Sequence, residues 1–130
     1  MNPQPDSARA MLTKARGDGA ALRHLVGDGA IPTWICGFHA QQAVEKSLKA
    51  VLGFKGIRYP FTHDLLFLVG LLRTNGISQP PDGDELASLT PYGAANRYDD
   101  PEDAPAAFAS DRVLGLVDRT LEWASGQVEG

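Results

Sequence analysis

Apolar positions recur along this chain at helical spacing, and no window alternates with the period of a strand rich in β-branched residues. Ala8, Met11, Leu12, Ala15, Leu22, Leu25 and Val26 share one face of a first helix, with Asp6 or Ser7 as its cap. Gly17 and Gly19 interrupt that face, each at a cost of about 1 kcal/mol relative to alanine. The string Gly-Asp-Gly-Ala occurs at 17–20 and again at 27–30, too short to mark a repeat architecture. A second helix is expected from Pro32, whose missing N–H suits a first helical position, to about Leu52, where Gly53 and Gly56 stop it. Trp34, Gly37, Ala40, Val44, Ser47, Leu48, Val51 and Leu52 form its broad apolar face, and His39, Gln42, Lys46 and Lys49 an opposite polar stripe. Gln41 falls inside the apolar arc and reads as a buried amide in need of partners.

Thr62 is the expected cap of a third helix carrying Leu65, Leu68, Val69 and Leu72, closed by Asn75-Gly76. The Pro- and Gly-rich segment 77–84 follows as a loop, then a short helix from Asp84 to Leu89 broken by Pro91. Residues 93–104 read as an acidic loop, and a last helix over about 105–126 places Val113, Leu114, Val117, Leu121 and Ala124 on one face. The expected fold is all-α: an up-and-down bundle of four main helices with a short extra helix, forming one domain over 1–130.

Composition narrows the chemistry. With 130 residues, 43% of them hydrophobic and 22% charged, the chain has the balance of a globular domain. The longest apolar run, Leu65 to Leu72, is far short of the roughly 18 residues of a membrane span. The opening MNPQPDSARA lacks a basic start and an apolar core, so a cytoplasmic protein is expected. Cys36 is the sole cysteine, which excludes an internal disulfide and any multi-cysteine zinc site. The net charge of −4 argues against a general electrostatic grip on nucleic acid and leaves room for a local basic patch. A phosphate-binding Gly-rich loop ending in Lys-Ser or Lys-Thr, a Gly-x-Ser-x-Gly elbow and a His-Glu-x-x-His pair are all absent, and His24, His39 and His63 have no metal-ligand spacing. Neither a metal nor a cofactor is expected.

The string FHAQQAVEKSLKAVL (Phe38 to Leu52), then Thr62-His63-Asp64-Leu65 and later Arg97-Tyr98, resembles the HEPN domain (higher eukaryotes and prokaryotes nucleotide-binding) over roughly residues 8–126. The resemblance implies a helical bundle, usually dimeric, often acting beside a minimal nucleotidyltransferase. Several such pairs are toxin–antitoxin systems in which the HEPN protein is a metal-independent ribonuclease. Ribonuclease members carry Arg, four to six residues, then His near the start of the last long helix. Arg97 sits near that place, but no histidine follows it; Arg58 and His63 satisfy the spacing instead, in the connection between the second and third helices.

Each candidate has a functional and a plainer role. Arg58 could grip a scissile phosphate while His63 shuttles the 2′-hydroxyl proton. Otherwise Arg58 is a solvated loop charge and His63 a first-turn residue bonded to a carbonyl. Gln42, Lys46 and Lys49 with His39 could face a nucleotide or a partner, or form an ordinary solvated face. Glu45 borders the apolar arc, where a salt bridge to Lys49 or Arg97 is as good a role as chemistry. Arg97 could bind phosphate and Tyr98 stack on a base, or Tyr98 could plug the bundle end and Arg97 pair with Asp99 or Glu102. The carboxylates Asp99, Asp100, Glu102 and Asp103 lack the spaced ligands of a calcium loop and read as solvated. Cys36 reads as a small buried residue, and Trp34 and Trp123 as core or interface anchors. The function these features favour is a nucleotide- or substrate-binding partner subunit of a minimal nucleotidyltransferase, forming a homodimer and using Gln42, Lys46, Lys49, His63, Arg97 and Tyr98. The alternatives are a metal-independent ribonuclease using Arg58 and His63, and a purely structural interaction module.

Overall fold

The computed structural model describes residues 5–93 and 110–130. Four α-helices, α1 (Pro5–Leu25), α2 (Thr33–Phe54), α3 (Leu65–Thr74) and α4 (Ser110–Glu129), are joined by a 3₁₀ segment (Glu85–Tyr92) before α4, with no strand among the described residues. The all-α expectation holds. The expected loop 93–104 and the start of the last helix at 105 fall outside the described residues, except for Gly93.

α2 is the axis of the structure. It packs against α1, α3, α4 and the 3₁₀ segment, whereas α3 rests on α2 and the 3₁₀ segment. Its burial therefore reaches beyond the apolar face the sequence draws: Glu45 and Lys49 are buried along with Gln41, Ser47, Ala40, Val44, Leu48 and Val51. Leu12 and Leu22 of α1, Leu65, Leu68 and Leu72 of α3, and Leu116 of α4 meet these residues in one core. Each such leucine, fully withdrawn from water, contributes about 2 kcal/mol of transfer free energy.

α1 continues unbroken through both of its interior glycines. At Gly19 α4 comes close: a Cβ there would lie 2.7 Å from Leu121 Cδ1, so the leucine end would have to shift. The pairs Arg16–Glu129 (2.5 Å) and Arg23–Asp118 run in opposite chain directions, so α1 and α4 are antiparallel. These ion pairs are about half exposed and help fix register more than stability, at about 0–1 kcal/mol each.

Two boundaries differ from expectation for local reasons. Asp64, not Thr62, caps α3: its carboxylate accepts from Phe67 N at 3.2 Å, while Thr62 Oγ1 accepts from Asp64 N at 3.1 Å and shapes the turn before it. Thr62 and His63 therefore precede the helix. The expected short helix is a 3₁₀ segment that runs through Pro91 to Tyr92 instead of breaking at it. Its end is fixed by packing, since the Tyr92 ring lies directly over Gly37 of α2, where no side chain could stand.

Candidate functional site

The connection from α2 to α3 brings the chemistry together. Gln41, Glu45 and Lys49 follow one another at four-residue steps on α2, so they stack along one side of the helix. Leu52 accepts from Ile57 N at 2.9 Å at the end of α2, and the chain then returns past this row to the Asp64 cap. That return sets His63 beside Glu45, with Nδ1 2.7 Å from Oε1. Gln41 Nε2 donates to the same oxygen at 2.8 Å, and Lys49 Nζ to Oε2 at 3.0 Å. Gln41 Nε2 also lies 3.3 Å from the His63 carbonyl, and Gln42 Nε2 donates to Gln41 Oε1 at 2.7 Å. The buried amide expected at Gln41 has found its partners.

Burial pushes the Glu45 carboxyl up, but hydrogen bonds from Gln41, His63 and Lys49, with the Lys49 charge, outweigh it and hold the group below its ordinary value. An ionised carboxylate can only accept, so His63 Nδ1 must be the donor. The ring is thereby fixed with Nδ1–H inward. Nε2 makes no hydrogen bond among the described residues, and the side chain is 38% exposed. A buried carboxylate orienting an imidazole whose other nitrogen is uncommitted is an arrangement able to take or give a proton, or to donate to an anion.

Aromatic groups border this unit. Lys49 Nζ lies 5.6 Å from the Tyr59 ring centroid and 5.8 Å from that of Phe61, and the Phe61 and His63 rings meet edge to face at 5.5 Å. Burial, then the Glu45 charge, pushes the Tyr59 phenol up. Phe61 is 93% exposed. Arg58 is exposed and forms no ion pair or hydrogen bond among the described residues.

The structure divides the expected polar stripe of α2. Lys46 and His39 turn to α1, where Asp18 accepts from Lys46 Nζ at 2.6 Å and pairs with His39 Nδ1 at 3.0 Å. Lys49 turns the other way and is buried against Glu45. Lys46, Lys49 and Gln42 are thus half-buried or buried groups with partners of their own, and the open basic face is replaced by two carboxylate-neutralised clusters. The physical reason is the enclosure of α2, because a lysine held between packed helices needs a carboxylate. His63 departs from its plainer expected role as well, since its ring partner is a carboxylate rather than a carbonyl. For Glu45 the salt bridge to Lys49 is realised; Arg97 and Tyr98 lie outside the described residues. Sequence reasoning missed Phe61 and the Glu45–His63 contact, which spans 18 positions and leaves no periodic trace.

Other regions are structural by comparison. Cys36 is buried, and Trp123 Nε1 donates to the Ser78 carbonyl at 3.2 Å. In the groove at residues 79–85, Asp82 and Glu85 are tied to Arg119 and Arg112 of α4. Among the described residues no group of three His, Cys, Asp or Glu side chains is placed to hold a metal ion, and no helix is long and apolar enough to cross a membrane.

Comparison with curated proteins and with solved structures gives no match. The family model described as the HEPN domain matches residues 8–126, a span that includes α2, the Glu45–His63 unit and nearly all the rest of the chain. The chain belongs to the HEPN domain family.

Proposed function

We propose that this chain is a cytoplasmic, homodimeric, non-catalytic partner subunit of a minimal nucleotidyltransferase, and that it contacts nucleotide or RNA at the α2–α3 connection. The observation that carries the site is the His63 ring, anchored at Nδ1 by buried Glu45, with Nε2 uncommitted and Arg58, five positions earlier, without an ion pair among the described residues. Lys46 and Lys49 act through their carboxylate partners to hold α2, and the direct contacts pass to His63 and Arg58. A toxin–antitoxin setting belongs to the same proposal.

The Glu45–His63 hydrogen bond also favours a second reading, metal-independent RNA cleavage. An oriented imidazole can remove the 2′-hydroxyl proton, and a guanidinium can hold the phosphate that the oxygen attacks. Incubating total tRNA in EDTA with the wild type and with His63→Ala, and following both retention and cleavage, separates the two. Retention without cleavage, weakened in His63→Ala, supports the binding subunit. Cleavage by the wild type alone makes the chain a ribonuclease. Neither retention nor cleavage by the wild type overturns both readings.

A further inference from the structure

Phe61 is the one large apolar side chain among the described residues that is almost wholly in water, at 93% exposure against 49% for Leu66 and 45% for Phe67. Burying such a ring is worth about 2 kcal/mol, which the fold forgoes. Yet the ring has a defined seat. The His63 ring meets it edge-on, Lys49 Nζ lies 5.8 Å from its centroid, and Lys49 is itself held by Glu45. Lys49 is neutralised there by Glu45, and two further cations stand in the same stretch of chain. Lys55 and Arg58 form no ion pair among the described residues, while the nearby carboxylate, Asp64, is engaged as the cap of α3. A chain of net charge −4 thus places in one short connection an open aromatic ring and two cations that have no carboxylate partner among the described residues, Lys55 lying over the Phe54 ring.

We infer that Phe61 is a nucleobase-stacking platform, with Arg58 taking a neighbouring phosphate, so that the site accepts single-stranded RNA and rejects duplex. The inference rests on the nucleotide- or RNA-contacting reading above. A base in a duplex has both faces covered by its neighbours, whereas a single strand can offer a free face to the ring. Arg58 and Lys55, three and six positions before the ring in the chain, fit a polyanion better than the apolar surface of a protein partner.

The test is fluorescence anisotropy with a fluorescein-labelled 2′-O-methyl RNA of about 12 nucleotides, which cannot be cleaved through its 2′ oxygen, as single strand and as duplex. The full chain is compared with Phe61→Ala, Phe61→Trp, Arg58→Ala and His63→Ala. Because Phe61 is exposed, Phe61→Ala keeps the wild-type helical circular dichroism. The expected result is single-strand affinity above duplex affinity, weakened about tenfold or more by Phe61→Ala and retained by Phe61→Trp, whose indole emission is quenched on binding. If Phe61→Ala binds within about twofold of wild type while Arg58→Ala or His63→Ala weakens binding, the platform is overturned and the functional reading survives. If the wild type binds no RNA, this inference and the RNA-contacting reading fall together. Loss of self-association in Phe61→Ala with RNA affinity intact assigns the ring to a protein interface and overturns the platform.

Discussion

Glu45→Ala is expected to destabilise the bundle by about 3–5 kcal/mol, measured as a fall in the urea midpoint at neutral pH. The carboxylate takes hydrogen bonds from Gln41, His63 and Lys49 while only 5% exposed. Its removal leaves the Lys49 ammonium, with a side chain 10% exposed, facing the uncharged remainder of the row. Glu45→Gln keeps the volume and part of the hydrogen bonding and is expected to cost less. The same group sets an acid limb. Its folded-state pKa lies below the ordinary value, so its contribution is fully present above the ordinary carboxylate range and is lost as pH falls through the folded value. The urea midpoint of the wild type should therefore drop on acidification below about pH 4.5, and that of Glu45→Gln should drop less steeply. A loss under about 1 kcal/mol for Glu45→Ala, or an unchanged acid limb in Glu45→Gln, contradicts the hub assigned to this residue.

The second large effect is expected at Gly37→Ala, at about 2–3 kcal/mol. A Cβ there would stand 2.7 Å from Tyr92 Cε1 and closer still to two other ring carbons. The ring would have to leave α2, taking the end of the 3₁₀ segment with it. Gly93, directly after Tyr92, lies beside Gln41 and His63, since a Cβ on it would be 3.6 Å from Gln41 Nε2 and from His63 Cβ. The strain thus reaches the site as well as the core. Combining Gly37→Ala with Tyr92→Ala should cost clearly less than the sum of the two single changes, because removing the ring removes the clash. Additive costs in that cycle would contradict the contact.

How far the sequence discloses this structure depends on the range of the interaction concerned. The helical stripes of α2 and α3 are local patterns, and they place Leu48, Val51, Leu65, Leu68 and Leu72 in the core where the structure has them. The i, i+4 pairing of Glu45 with Lys49 is equally local, and so is the need of Gln41 for polar partners. Matters decided by distant neighbours are not visible in this way. That Lys46 turns to α1 follows from Asp18, 28 positions away, and no periodicity in either helix announces it. That Gly19 and Gly37 sit inside helices without breaking them follows from Leu121 and Tyr92 packed against them, whereas propensity alone counts both as weak points. His63 illustrates the difference best. The Arg58-x4-His63 spacing marks it as a candidate, but its orientation comes from a buried carboxylate on another element. The exposure of Phe61 leaves no trace in helical periodicity, because the residue lies in the connection between α2 and α3.

The central claim is that ligand is met at the α2–α3 connection, on the Nε2 side of His63. The three histidines make it directly testable, because His24 lies near the exposed end of α1, His39 is paired with Asp18 between α1 and α2, and His63 is held by Glu45. Their imidazole signals can be assigned by NMR with His24→Gln, His39→Gln and His63→Gln, then followed as single-stranded RNA is added. The account predicts that the His63 signals move with saturation while those of His24 and His39 stay in place. Movement of His39 or His24 with His63 unmoved would place the contact elsewhere on the bundle and contradict it.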